Sequence, residues 1–175
     1  MKLGIASSVF VMALSAVAPS APAGDKAASS AARRLEALKG LAGDWVEIGK
    51  DGKPTDRVVS SFRVTAGGTA VEETMCPGTE KEMVTMYHLD GNDLVLTHYC
   101  TLGNQPRLKA EPGDDDRRIV FKFNGGTNLK SAGDLHIDHA TLTLVDKDHF
   151  QAHWTACKDG AACHDCTMDL ARKSK

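Results

Sequence analysis

The chain has 175 residues, with 21 Lys and Arg against 23 Asp and Glu, so its formal net charge at pH 7 is −2. This mild balance, without an extended basic cluster, gives no electrostatic reason to expect a nucleic acid or an anionic membrane as a partner. Hydrophobic residues make up 42% of the sequence. We expect them to form one core, because a chain of this size buries roughly two-thirds of its unfolded surface.

The first 23 residues are predicted to be a secretory signal peptide. Lys2 precedes an uncharged, mostly apolar run, and Ala21 and Ala23 are the small residues that signal peptidase requires. Cleavage after Ala18 is less suitable, because Pro19 would follow the cut. The apolar run is shorter than the roughly 20 residues needed to span a bilayer. We therefore expect a periplasmic or secreted protein, with no membrane association after cleavage at Ala23.

The mature chain is expected to begin with a flexible linker and to continue as a single domain. Residues 24–33 are rich in Ala and Ser and form the predicted linker, the domain covers residues 34–171, and a tail follows at 172–175. Near the start of the domain, the sequence AARRLEALKGLAG repeats leucine every three positions from Leu35 to Leu41. This pattern predicts one short amphipathic helix.

From Leu41 onward the sequence predicts short β-strands separated by Gly, Asp, Asn and Pro. The predicted strands are 44–49, 57–65, 69–76, 83–89, 93–100, 105–110, 118–124, 135–145, 149–157 and 166–171. Tight connections such as DGKP and DGND favour antiparallel pairing of neighbours. Because an open sheet of this length would expose two edges, we predict an all-β fold, a closed antiparallel up-and-down barrel of about eight to ten strands.

Two stretches resemble known proteins. Gly43-Asp44-Trp45, which follows the predicted helix, is similar to the Gly-x-Trp entry of calycins, the lipocalin-like barrels. The run MVTMYHLDGNDLVLTHYCTLGNQPRLKA resembles a stretch of exported bacterial proteins of unknown function that have a predicted barrel of this type. The resemblance implies a closed barrel over residues 41–171, with Trp45 plugging its floor under the helix. It implies no particular ligand, because calycins bind very different ones.

The strand that ends in His98-Tyr99-Cys100 carries the main candidates for ligand binding. His98 and Cys100 share the face of two leucines on this strand, so they face the interior if the leucines do. His88, on the preceding strand, is a further candidate, and its face depends on the register of the DGND turn. Together these side chains would bind zinc or haem iron. The competing interpretation is a hydrogen-bonded core histidine beside a small apolar cysteine.

Two more residues are candidates for contact with a ligand. Arg107 follows a turn beside the end of the same strand, where it would bind an anionic group, although an arginine at a turn is more often only solvated. Trp154 shares a strand face with Phe150, which we expect to lie inside the barrel. There it would either stack on a ligand or pack in the core.

Three of the five cysteines lie in CKDGAACHDC, residues 157–166. The stretch lacks the CxxCH motif of covalent haem attachment, and its single CxxC has neither a second ligand pair for zinc nor a βαβ setting for redox chemistry. In an exported protein, disulfides are then expected. We interpret 158–165 as a hairpin loop and expect a bridge between Cys157 and Cys163. Cys166, predicted to face the core, is the alternative partner.

No GxSxG, HExxH, phosphate-loop or dinucleotide motif occurs in the sequence. The sequence therefore favours an exported barrel that binds a small, partly apolar molecule in its interior and needs no cofactor. The alternative is a haem- or metal-binding barrel built on His98, Cys100 and His88. A thiol-dependent or hydrolytic enzyme is a third hypothesis.

Overall fold

The computed structural model describes residues 29–113, 115–131 and 133–174. Within them, ten antiparallel strands close into an up-and-down barrel preceded by one short α-helix, which confirms the predicted fold class. The predicted signal peptide and its cleavage site lie outside the described residues. No helix among the described residues has the length and apolar character needed to cross a bilayer.

The strands follow one another around the barrel in chain order. The elements are α1 (Ser30–Lys39), β1 (Gly43–Ile48), β2 (Pro54–Thr65), β3 (Ala70–Met75), β4 (Met83–Asp90), β5 (Asp93–Tyr99), β6 (Gln105–Ala110), β7 (Arg118–Thr127), β8 (His136–Asp146), β9 (His149–Lys158) and β10 (Ala161–Arg172). A single 3-10 turn, Ala66–Gly68, joins β2 to β3. Strand β1 pairs with β10 as well as with β2, which closes the ring. All ten predicted strands are present, and β10 differs most from its predicted bounds.

Helix α1 covers one end of the barrel. Its first turn is capped by Ser29, whose hydroxyl accepts a hydrogen bond from the Ala32 amide at 3.2 Å. Residues 30–33, predicted as linker, are therefore helical. The buried guanidinium of Arg34 donates to the Glu111 carbonyl at 2.8 Å and so ties the helix to the segment after β6. We call this end of the barrel the closed end and the opposite end the open end.

Trp45 lies fully buried at the closed end, next to the turn that follows α1. Its indole Nε1–H donates to the Leu41 carbonyl at 2.7 Å, and its ring meets Phe150 edge-on at 4.7 Å between centroids. The guanidinium of Arg172 lies 4.4 Å from the centre of the Trp45 ring and donates to the Ala42 carbonyl. Trp45 therefore lies between the turn after α1 and the aromatic core at the closed end.

Large side chains fill much of the barrel interior. Alternate residues of each strand point inward, as a closed sheet with one apolar face requires. The largest fully buried side chains include Trp45, Tyr87, Phe121, Phe150, Leu94, Leu96, Leu108, Ile119, Leu142 and Leu170. Phe62 and Phe150 add a second edge-on ring contact at 5.6 Å. Any ligand in the interior must therefore lie beyond this packed region, toward the open end.

The last hairpin differs from its predicted form. Lys158 and Ala161 are register partners, so the loop contains only Asp159 and Gly160. Both have positive φ, at 51° and 76°, as the two central residues of a type I′ turn require. The predicted loop over 158–165 is therefore wrong, because the Asp-Gly pair closes the hairpin immediately.

Candidate functional site

Polar side chains interrupt the apolar lining of the barrel interior. Glu73, Thr85 and His98 are successive register partners on β3, β4 and β5, and all three are buried. With their contacts they form what we call the lumen cluster: Ser60, Glu73, Thr85, Tyr87, His98 and Trp154. Buried polar groups of this kind are retained only where hydrogen bonds or ligands satisfy them. The lumen cluster is therefore the first candidate site.

Glu73 is the centre of one half of the lumen cluster. The Ser60 hydroxyl donates to Glu73 Oε1 and the Tyr87 hydroxyl donates to Oε2, each at 2.6 Å. Burial raises the pKa of Glu73, and the two hydrogen bonds oppose this rise only in part. Burial, and then the nearby carboxyl group, raise the pKa of Tyr87 well above its usual range. The shift of Glu73 favours an uncharged carboxyl group, which suits a low-dielectric interior.

The other half of the lumen cluster joins His98 to Trp154 across the lumen. Nδ1 of His98 shares a hydrogen bond with Thr85 Oγ1 at 2.9 Å, and its ring lies 5.3 Å from the Trp154 ring. Burial lowers the pKa of His98 to about 4, so its imidazole is neutral at pH 7. The indole Nε1 of Trp154 is buried and has no hydrogen-bond partner among the described residues. Of the lumen cluster, Trp154 is the member with a buried polar atom that lacks such a partner.

Sulfur-containing side chains surround the lumen near the open end. Met75 and Met83 are register partners at the open ends of β3 and β4. Met75 is buried and Met83 is partly buried against the core, and Met168 packs against the core nearer the closed end. Cys166 pairs in register with the inward-facing Trp154 yet is exposed. Burial raises the pKa of Cys166, and the neighbouring Cys76 adds to this effect. The barrel wall at this end thus includes flexible methionine side chains and an exposed cysteine.

The five cysteines are free thiols in the structure. Cys163 sits at a register shift between Ala162 and His164, and its thiol donates to the Ala156 carbonyl at 3.4 Å. Burial raises the pKa of the Cys157 thiol, the Asp138 carboxylate raises it further, and the neighbouring Cys163 adds a smaller effect. The two residues are neighbours, but the predicted bridge between Cys157 and Cys163 is not formed, nor is the alternative with Cys166.

The structure separates the residues that were predicted to bind a metal together. His88 follows the inward-facing Tyr87 and so lies on the outer face, where its Nδ1 is 3.0 Å from the Leu89 carbonyl. Cys100 lies just beyond β5 and begins a turn, in which its carbonyl accepts from the Gly103 amide at 2.9 Å. Only His98 faces the lumen. Across 29–113, 115–131 and 133–174, no group of three or more His, Cys, Asp or Glu side chains could hold a metal ion.

Tyr99 and Arg107 form a second candidate surface, outside the barrel. Tyr99 is adjacent to the inward-facing His98 and is 50% exposed on the opposite face. Arg107 is the register partner of Thr97, two residues before Tyr99. Both side chains line a groove of about 530 Å³ on β5, β6 and β7, which we call the outer groove. The ligand residues predicted as one set thus divide between the lumen and the outer groove.

Sequence reasoning missed Glu73, Ser60, Thr85 and Tyr87. A signal was available for Glu73, because it alternates with Val71 and Met75 on β3 and must share their inward face. No protein-family model matches the chain, and no curated protein matches it either. The lumen cluster and the outer groove are therefore the features that bear on function.

Proposed function

We propose that the protein binds a small, partly apolar and uncharged molecule in the part of the lumen nearest the open end. The observation that carries this proposal is the buried indole Nε1 of Trp154, which lacks a hydrogen-bond acceptor among the described residues. A buried donor without a partner costs about 1–3 kcal/mol. A ligand that presents a carbonyl or ether oxygen to Trp154 would recover this free energy.

The charge of the surroundings favours an uncharged ligand. His98 is neutral at pH 7, because burial lowers its pKa to about 4, and the raised pKa of Glu73 disfavours its anion. Arg34 is the one buried arginine or lysine among the described residues, and it lies at the closed end. A charged ligand in the lumen would therefore lose its hydration without gaining an opposite charge.

The lumen wall near the open end can adapt to such a ligand. Met75 and Met83, register partners at this end, have unbranched, polarisable side chains that change rotamer at low cost. They pack against the core, and Cys76, which follows Met75, neighbours the exposed Cys166. The closed end is blocked by α1 and Trp45, so we expect a ligand to enter from the open end and to rest on the packed aromatic floor.

Prodan provides a direct test, because it is an uncharged naphthalene with a ketone acceptor whose emission shifts to the blue in apolar surroundings. We expect a saturable blue shift with the protein and none with the anionic probe 1-anilinonaphthalene-8-sulfonate. Trp154→Phe should weaken Prodan binding about fivefold, which corresponds to one hydrogen bond of about 1 kcal/mol. The folded state of each variant is checked by circular dichroism.

Position is tested with two phenylalanine substitutions on β9. Ala156 faces the lumen near the open end, so Ala156→Phe should abolish Prodan binding, whereas Gln151→Phe, on the exposed outer face, should leave it unchanged. Equal Prodan binding by the two variants would show that Prodan does not bind in the lumen. A haem absorption band in the isolated protein that disappears in His98→Ala would overturn the proposal in favour of the haem alternative.

A further inference from the structure

The outer groove has a shape and a chemistry that binding in the lumen does not use. It lies on the outer face of β5, β6 and β7, close to the open end. Its lining includes Thr97, Tyr99, Gln105, Arg107, Asn124 and Gly126. Hydroxyl, amide and guanidinium groups thus surround one exposed aromatic ring.

An irregularity in strand pairing creates the groove. The register between β6 and β7 shifts between Pro106 and Leu108, so Arg107 has no direct partner on β7. Such bulges bend a strand and redirect a side chain. Gly126 completes the depression, because a Cβ there would lie 2.8 Å from the Gln105 carbonyl oxygen and 3.0 Å from Pro106 Cα. The close approach of the two backbones therefore requires glycine.

Arg107 is the charged group of the outer groove and is only partly satisfied. Its Nη2 donates to the Asp90 carboxylate at 2.5 Å, and Asp90 is 63% exposed. Its Nε is buried and has no hydrogen-bond partner among the described residues. Exposed ion pairs contribute little to stability, so Asp90 is a weak competitor for an incoming carboxylate. A guanidinium binds a carboxylate through two parallel N–H groups.

The other groups in the groove are suited to a ligand with many hydroxyls. Half of the Tyr99 surface is exposed and offers a flat apolar face. The Gln105 side chain is fixed, because its Oε1 accepts from Thr127 Oγ1 at 2.6 Å and from Asn128 Nδ2 at 3.0 Å. Asn124 is exposed beside it. The Asn124 amide and the Thr97 hydroxyl, which also line the groove, remain available to a ligand, and a planar aromatic acid would use Tyr99 and Arg107 but not these two groups.

We infer that the outer groove binds an acidic saccharide. The carboxylate of a uronic acid unit bonds to the Arg107 guanidinium, and the apolar face of its pyranose ring lies on Tyr99. This site is separate from the lumen, because Tyr99 and Arg107 lie on the face of the sheet opposite to His98 and Trp154. It does not depend on the function proposed above.

Saturation-transfer NMR on the unmodified protein tests the ligand class. The probes are methyl β-D-glucuronide, its neutral counterpart methyl β-D-glucoside, and benzoate. We expect the glucuronide to bind at least tenfold more tightly than either of the others, because only it uses both the guanidinium and the hydroxyl-binding groups. Equal binding of glucoside and glucuronide would show that the carboxylate does not contribute to binding. Tighter binding of benzoate would overturn the assignment to a saccharide.

Variants then test the position. Arg107→Gln should weaken glucuronide binding about tenfold or more, and Arg107→Lys should recover only part of the loss, because lysine lacks the planar fork. Arg63→Gln is the matched control, because Arg63 on β2 is 65% exposed and its Nη2 lies 2.7 Å from the carboxylate of Glu72 on β3. Loss of binding in Arg63→Gln, or unchanged binding in Arg107→Gln, would refute the site. The lumen variant Ala156→Phe should bind the glucuronide normally.

Discussion

His98 should make the stability of the protein depend on pH in a defined direction. At pH 7 its imidazole is mostly neutral in both the folded and the unfolded state. As the pH falls through 6.5, the unfolded side chain takes up a proton, whereas the buried ring does so only near pH 4. The unfolded state therefore binds more protons in this window, and the free energy of unfolding falls as the solution becomes more acidic.

The size of this effect follows from the two pKa values. The fall of the pKa from 6.5 to about 4 corresponds to about 3 kcal/mol in total, of which about 2 kcal/mol should appear between pH 7 and pH 5. Replacement by glutamine removes the titration. The difference in free energy of unfolding between wild type and His98→Gln should therefore shrink by about 2 kcal/mol over that range, although the variant is less stable at pH 7.

The assay is urea unfolding at pH 5, 6 and 7, followed by tryptophan fluorescence. Comparing the two proteins cancels the titration of groups that they share. Glu73→Gln is a control in which the pH dependence of stability has the opposite sign. Because the pKa of Glu73 is raised, the free energy of unfolding of wild type falls relative to that of this variant as the pH rises above 4.5. A constant difference between wild type and His98→Gln from pH 7 to pH 5 would refute the view that His98 is held neutral by burial.

Two further predictions concern the lumen network and the outer groove. Tyr87→Phe removes the donor to Glu73 Oε2 and should cost about 1–3 kcal/mol in urea unfolding, because a buried carboxyl oxygen loses its partner; an unchanged midpoint would contradict the network. Gly126→Ala places a Cβ 2.8 Å from the Gln105 carbonyl oxygen, and we expect a loss of about 1–3 kcal/mol. Wild-type stability of that variant would contradict the close contact between β6 and β7 at Gly126.

The strands and the closure of the barrel could be predicted from the sequence because each signal was local. Alternating apolar residues and Asp-Gly turns fix both the strand and its antiparallel partner. The DGND turn closes with Gly91 and Asn92 between the paired Asp90 and Asp93. That pairing decides that His88 points outward, a result that the sequence alone left open.

The candidate sites were harder to predict, because they depend on register shifts and on polar residues inside the core. Glu73 breaks the apolar pattern of β3 and becomes acceptable only through Ser60 and Tyr87, which are distant in sequence. The outer groove depends on a bulge opposite Arg107, for which Gly125 and Gly126 inside β7 are the sequence sign, although the glycines do not show which side chains the bulge brings together. In the thiol-rich hairpin, the Asp159-Gly160 pair and not the spacing of the cysteines determines where the chain turns.

The placement of the cysteines also has a practical consequence. Cys76 and Cys100 follow β3 and β5, Cys157 lies near the end of β9, and Cys163 and Cys166 lie in the first half of β10. All five therefore lie toward the open end, and none is on α1. A thiol-reactive surface would hold every molecule in one orientation, with the helix facing the solution. Oxidative cross-linking of two molecules would join them at their open ends and would obstruct both lumens at once.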